Sequence, residues 1–306
     1  MREEKIYDVI IVGGGPAGLT AAIYTGRSKL STLVIEKEGM GSLYMAHQID
    51  NYPGFPEGIS GPELNKLMKK HAMRFGAEFK DAVLFGFDPY EEIKTVKTDK
   101  GNFKCKNIIV ATGTGKNFGK KLKGEKEFLG MGVSYCATCD GAFTKNRTVS
   151  LVGQGEELAQ EALFLTKFSK KIQVFVTSQE FNCSEQSLEA LKNSDKVEII
   201  TGAKLLEIRG SDFVEELSLE IDNEIKTYPT DFVFLYLGTK NNGEMYGEFA
   251  NLDAQGNIVT GTDLKLNVDG MYAAGDIRSG VLKQVGTAVG DGTIAALEVI
   301  KRNLRK

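Results

Sequence analysis

The chain reads as an α/β protein built from two parallel βαβ units, the second inserted within the span of the first. Three observations predict this. An apolar run, Tyr7-Asp8-Val9-Ile10-Ile11-Val12, enters the glycine turn Gly13-Gly14-Gly15-Pro16-Ala17-Gly18; a later run, Thr148-Val149-Ser150-Leu151-Val152, enters Gly153-Gln154-Gly155; and strand-and-turn pieces suited to the first unit reappear near the C-terminus. Runs of this kind suit strands buried on both faces of a parallel sheet.

The first unit continues with a helical pattern from Leu19 to Ser28 and a second apolar strand, Thr32-Leu33-Val34-Ile35, ending at Glu36. Strand, glycine turn, helix, strand and acid within ~30 residues are what a Rossmann-like dinucleotide site requires. Glycines admit the backbone close to a pyrophosphate, and the helix beginning near Pro16 offers free amides and the positive end of its dipole. Glu36 would accept hydrogen bonds from ribose hydroxyls and repel a 2′-phosphate, so the first turn suits FAD or NAD better than NADP. Further on, Cys105-Lys106-Asn107-Ile108-Ile109-Val110 leads into Ala111-Thr112-Gly113, and Met271-Tyr272-Ala273-Ala274-Gly275-Asp276 repeats the pattern. Gln284-Val285 opens a glycine-rich segment before a last helix, Thr293 to Asn303. In the second unit a helix from about Glu157 to Phe168 precedes the strand Lys171 to Val176. Linker-like clusters of Gly, Lys and Asn near Thr114 and Gly247 set the expected domains at 1–113 with 247–306, and 114–246.

The charge balance, 38 basic against 41 acidic residues in 306, gives no field to favour nucleic acid or an anionic membrane. No stretch approaches the ~20 apolar residues of a membrane span. Four cysteines in this length are too few for a secreted disulfide framework, and the N-terminus carries no signal-peptide pattern, so a cytoplasmic location is expected.

The first glycine turn, Asp50-Asn51-Tyr52-Pro53-Gly54, Ala111-Thr112-Gly113, Cys136-Ala137-Thr138-Cys139-Asp140-Gly141 and Ala273-Ala274-Gly275-Asp276 together resemble the low-molecular-weight bacterial thioredoxin reductases along nearly the whole chain. The resemblance implies a homodimeric flavoprotein with two Rossmann-like domains of the thioredoxin reductase type and a redox-active disulfide in the inserted one. It also implies FAD contacts at Gly13, Gly15, Pro16, Ala17, Gly18, Glu36, Gly41, Ser42, Asn51, Val83, Thr112, Gly113, Gly275, Asp276, Gln284 and Val285. Where relatives carry Gly-Gly-Gln near the flavin, this chain has Met40-Gly41-Ser42.

A larger departure falls on the second turn. A small residue that lets helix and strand pack closely is replaced by Leu158, and Glu156 and Glu157 are expected to crowd a pyrophosphate. The His-Arg-Arg run by which NADPH-using members clamp the 2′-phosphate reads Thr177-Ser178-Gln179-Glu180-Phe181, without a cation. Charge-assisted bonds are worth roughly 1.5 to 3 kcal/mol each, so losing two and adding acids costs several factors of ten in affinity.

Two cysteines at CxxC spacing can bind metal, form a redox disulfide or lie inert. Zinc needs two further ligands, while Cys105 and Cys183 are isolated and His47 and His71 lie far back in sequence, so redox chemistry is expected and no metal. By the family pattern Cys139 faces the flavin, Cys136 attacks the partner disulfide, and Asp140 protonates the leaving thiolate, with an N-cap as its plainer role. Cys105 and Cys183 read as structural or surface thiols. An intact CxxC with a degenerate nucleotide turn is similar to the ferredoxin-dependent flavin thioredoxin reductases. Passing two electrons from about -400 mV in a ferredoxin to about -270 mV in thioredoxin releases roughly 6 kcal/mol. Candidate docking faces for an acidic ferredoxin are Lys116, Lys120, Lys121, Lys123 and Lys126, or Lys301, Arg302, Arg305 and Lys306, with solvated charge runs the plainer reading of both. An altered-site NADPH enzyme, an oxygen-dependent dithiol oxidase and a non-catalytic redox sensor are the competing functions.

Overall fold

The structure, a computed structural model, describes residues 5–114, 122–125, 127–237 and 245–305, apart from the side chain of Cys139. The chain divides into two compact units, Met1–Asn117 with Thr239–Lys306, and Phe118–Gly238.

The first unit opens with β1 (Ile6–Val12), α1 (Pro16–Arg27) and β2 (Thr32–Glu36). The helix begins three residues before the sequence pattern suggests, because Pro16 stands at its first turn with a preset φ. A short helix, α2 (Ser42–Met45), precedes α3 (Gly61–Arg74), whose Leu64, Met68 and Ala72 lie on one buried face. Then follow β3 (Glu78–Asp81), β4 (Leu84–Asp88), β5 (Lys94–Thr98) and β6 (Gly101–Val110).

The inserted unit starts with β7 (Val133–Ser134) and the four-residue α4 (Ala137–Asp140). Its βαβ core is β8 (Thr148–Gly153), α5 (Gly155–Leu165) and β9 (Lys171–Val176), followed by α6 (Glu185–Lys192) and β10 (Val197–Ile200). An antiparallel meander, β11 (Lys204–Gly210), β12 (Val214–Ile221) and β13 (Glu224–Pro229), leads to β14 (Phe232–Tyr236). The parallel sheet runs β10-β9-β8-β14-β7, and Val149, Leu151, Leu158, Ala162, Val174 and Phe234 form a core on one of its faces.

The chain then returns to the first unit. Met245 and Tyr246 already pack into its core, slightly ahead of the sequence boundary at 247. After a small ribbon, β15 (Asn251–Leu252) and β16 (Ile258–Val259), comes β17 (Met271–Ala273). The last helix, α7 (Val285–Leu304), starts eight residues before the expected Thr293 because Gln284 and Thr287 close a capping box there.

Topology explains why the C-terminal segment is needed. The main sheet runs β3-β2-β1-β6-β5-β4, and β17 adds to it by pairing in parallel with the second half of β6. Val12 pairs with Val110, and Val110 with Ala273, so three strands end abreast. Their three following turns lie side by side at the carboxyl edge, where open parallel sheets bind ligands. Small residues of α1 and α7, among them Ala17, Ala21, Ala295 and Ala296, cover one face of the sheet. Their approach is close: a Cβ on Gly292 would overlap the Ala17 carbonyl oxygen.

Candidate active site

The turn after β1 leaves no room for side chains. Gly13 has φ +119°, and a Cβ there would overlap the Ala111 carbonyl oxygen; one on Gly18 would overlap the Gly13 carbonyl oxygen, and one on Gly14 would strike the Glu36 carboxylate. A Cβ on Gly15, by contrast, would meet nothing within 4 Å, so the backbone there is open to a ligand. No side chain caps α1, and its first turn holds no acid. Its free amides and dipole are thus left for an anion, and the cradle fits the pyrophosphate of a dinucleotide.

Glu36, at the end of β2, is buried, and its Oε1 lies 2.5 Å from Lys69 Nζ of α3. Burial lowers the Lys69 pKa, but the hydrogen bond and charge of Glu36 outweigh it and the net shift is upward. The lysine also stands 4.9 Å over the Phe79 ring. Asn65, one turn before Lys69, donates from Nδ2 to the Gly14 carbonyl at 2.7 Å. Helix α3 therefore fixes both the glycine turn and the acid.

The other two turns are held in similar fashion. Thr112 Oγ1 lies 3.0 Å from the Tyr246 hydroxyl, and Gly113 has φ +67°. Gly275 has φ +78°; its N–H donates to Asp291 Oδ2 at 3.0 Å, and Arg278 pairs with the same oxygen at 2.7 Å. Asp276 follows, half-buried. Asn51 Nδ2 donates to Gln284 Oε1 at 2.9 Å, tying the Asp50 to Gly54 loop to the start of α7. Leu43, beside Gly41 and Ser42, belongs to a core cluster with Leu19 of α1, against which Val285 packs. Pro16 and Ala17 form the first turn of α1. Val83 lies next to the end of β2, since the Ala82 N–H donates to the Glu36 carbonyl; its own N–H and carbonyl both bond Asp99. The structure thus gathers Gly13 to Gly18, Glu36, Thr112, Gly113, Gly275 and Asp276 about one sheet edge. Lys69, Asn65, Tyr246, Asp291 and Arg278 are supporting residues that sequence reasoning missed.

In the inserted unit Cys136 is disulfide-bonded and stands as the N-cap of α4. Its N–H donates to Ser134 Oγ at 3.1 Å, its Sγ is 3.3 Å from Thr138 Oγ1, and its carbonyl accepts from the Asp140 N–H at 3.1 Å. The Ala137 N–H donates to the buried Tyr236 hydroxyl at 3.0 Å. Asp140 is half-buried one residue beyond Cys139, whose side chain lies outside the described residues. Cys105 and Cys183 are free thiols; burial pushes Cys105 up to about 12, which keeps it inert.

The second glycine turn differs from the first in electrostatics. Glu156 and Glu157 both fall in the first turn of α5, where their charge offsets the helix dipole. Glu156 does not project into the turn as expected but reaches across to α6. Its Oε2 accepts the Ser184 N–H at 2.5 Å, and its Oε1 accepts the Ser187 hydroxyl at 2.6 Å. The Ser184 amide, first, and the Ser187 hydroxyl hold the Glu156 carboxyl below its ordinary value. The loop after β9 is held by its own hydroxyls: Thr177 Oγ1 donates to the Gly153 carbonyl at the end of β8, and Ser178 Oγ to the Glu180 carbonyl within the loop. Leu158 is fully buried in the core beneath. Of the lysine candidates, Lys123 pairs with Glu207 at 2.5 Å, Lys301 with Glu298 and Arg302 with Asp269, each at 2.7 Å; Lys116, Lys120, Lys121, Lys126 and Lys306 lie outside the described residues.

Two dinucleotide-type turns and a disulfide at a CxxC define a flavin-dependent disulfide oxidoreductase. In agreement, residues 7–292 match the family described as pyridine nucleotide-disulphide oxidoreductases. The thioredoxin reductase of Bacillus subtilis is 38% identical over 305 residues, spanning 98% of this chain and 95% of that protein. The thioredoxin reductase of Streptococcus pyogenes superposes with a TM-score of 0.90 at 33% identity, over 98% of this chain and 99% of that one. A ferredoxin-flavin thioredoxin reductase from Clostridium acetobutylicum is 31% identical over 98% of this chain and 99% of its own, with a TM-score of 0.52. The chain belongs to the low-molecular-weight thioredoxin reductases. It is an FAD-binding disulfide reductase whose partner is thioredoxin.

Proposed function

We propose that this enzyme reduces the thioredoxin disulfide through Cys136 and Cys139 with electrons from reduced ferredoxin rather than NADPH. The observation that carries the choice is the contrast between the two helix starts. The first turn of α1 holds no acid, whereas that of α5 holds Glu156 and Glu157, and Glu156 is bonded across to Ser184 and Ser187. A phosphate that approached α5 would meet a helix start whose dipole the charges of Glu156 and Glu157 offset, and a loop without an arginine.

Gly13 to Gly18, Glu36, Thr112, Gly113, Gly275 and Asp276 hold FAD, with Gly41, Ser42, Asn51, Val83, Gln284 and Val285 around it. When bound, FAD lets a one-electron donor serve a two-electron disulfide. Cys136, presented at the N-terminus of α4, attacks the thioredoxin disulfide as the thiolate, and Cys139 resolves the mixed disulfide. Asp140 gives a proton to the leaving thiolate and takes it back in the next cycle. Two reduced ferredoxins, one thioredoxin disulfide and two protons thus yield two oxidised ferredoxins and one dithiol. A cytoplasmic homodimer completes the reading. The Clostridium ferredoxin-flavin thioredoxin reductase supports it as a relative of comparable identity. Steady-state thioredoxin reduction with each donor tests the proposal: turnover with reduced ferredoxin and none with NADPH supports it, and the reverse pattern refutes it.

A further inference from the structure

Glu161 has a buried carboxylate oxygen, Oε2, without a hydrogen-bond partner, the one such side-chain atom among the described residues. Leaving such an atom unpaired is costly, so its position calls for a cause. It lies on α5 one turn beyond the buried Leu158 and one turn before Leu165. This side of the helix packs on the redox element: a Cβ on Gly141, just past α4, would come within 2.9 Å of Phe164. The Thr138 amide of α4 faces the Glu161 carboxyl. The Thr138 hydroxyl in turn lies 3.3 Å from Cys136 Sγ. The neighbouring amide, that of Ala137, is held by the Tyr236 hydroxyl.

The charged and titratable groups that act on this site are Glu157, one turn back on α5, Tyr236 at the end of β14, and Asp140 on α4, which acts on Tyr236. None of them is cationic. Burial first, then the charge of Glu157, push the Glu161 carboxyl up to about 7, against the pull of the Thr138 amide. A thiolate formed on the redox pair would add a further like charge and favour the protonated carboxyl.

We propose that Glu161 is a positioning residue that binds the second proton of the dithiol step, taking it up as the disulfide opens and releasing it as the disulfide re-forms. In the opening step two electrons and two protons break one S–S bond. One proton goes to a thiol sulfur, the other to the Glu161 carboxylate, and the second sulfur is left as the thiolate that attacks thioredoxin. In closing, the electron pair passes to the thioredoxin disulfide, and the thiol proton, relayed through Asp140, and the Glu161 proton neutralise the two thioredoxin sulfurs. The inference rests on the dithiol chemistry and is independent of which donor supplies the electrons.

The test is the midpoint potential of the redox pair in the FAD-loaded protein, measured by equilibration with dithiothreitol buffers at a series of pH values. Wild type and Glu161→Gln are expected to coincide at about pH 6, where the carboxyl is neutral in both redox states. At about pH 8 the wild-type pair should be about tenfold harder to reduce than the variant, a difference of about 30 mV. Glu161→Asp, which keeps the carboxyl, should retain the break in the curve. Curves for wild type and Glu161→Gln that are parallel throughout would overturn the inference, as would a wild-type curve without a break. The wild-type and aspartate curves decide the matter even if the glutamine variant does not fold. A pair that never exchanges with dithiothreitol would instead remove the dithiol reading, and this inference with it.

Discussion

Gly18 shows how far one atom can matter. Because a Cβ there would overlap the Gly13 carbonyl oxygen, Gly18→Ala must displace the turn that Asn65 and Glu36 hold in place. The variant is expected to purify without bound FAD, as its absorbance spectrum will show; a normal flavin content would contradict the assigned cradle. Opposite behaviour is expected at the redox pair. Cys136→Ser and Cys139→Ser should keep FAD and lose disulfide reduction, while Asp140→Asn should slow thioredoxin turnover by roughly 10² to 10⁴. Normal steady-state rates in either cysteine variant would exclude the dithiol route. The glycines and cysteines were legible in the sequence because each motif is contiguous and its chemistry depends on spacing. Lys69 and Tyr246 were not, since they meet Glu36 and Thr112 across 33 and 134 residues of chain. Glu161 looked like any helix-surface acid; its one signal was falling a turn from Leu158 on the apolar side.

Among the elements, the two βαβ units share one architecture and differ in the charge at their helix starts. Both helices follow a glycine turn at the carboxyl edge of a parallel sheet, and only α5 has acids in its first turn. The strands β8 and β9 and the absence of arginine from Thr177 to Phe181 could be read from sequence, but the direction of Glu156 could not. Its carboxylate was expected in the turn and is found bonded to Ser184 and Ser187 at the start of α6, a contact set by the packing of two helices. Arginines introduced at Ser178 and Gln179 are therefore expected to leave NADPH binding undetectable by calorimetric titration, because both acids and the Glu156 bridge remain. Micromolar binding after that change alone would show that the clamp was the sole deficit. The same helix carries a pH signature. Burial raises the Glu161 carboxyl from 4.5 to about 7, so its contribution to stability is complete below pH 4.5 and is lost as the pH rises through about 7. Glu161→Gln should match wild type in urea at acid pH and exceed it at about pH 8 by on the order of 1–2 kcal/mol, after allowance for partial exposure. Equal stabilities at both pH values would contradict the raised carboxyl.

For the whole molecule, the discontinuous first unit follows from strand pairing. Without β17 beside β6, the sheet edge lacks the third turn, and without α7 the face covered by Ala288, Ala295 and Val299 is bare. The repeat of strand-and-turn pieces near the C-terminus made this visible in the sequence. Anaerobic stopped-flow absorbance of the bound flavin separates the proposed ferredoxin donor from NADPH. Mixed with excess NADPH, the flavin band should stay unchanged; mixed with reduced ferredoxin, it should bleach, at a rate that falls as salt screens the encounter beyond roughly 10 Å at 0.1 M. Rapid bleaching by micromolar NADPH, with none from ferredoxin, would rule out the ferredoxin donor and place the chain with the ordinary NADPH-dependent thioredoxin reductases.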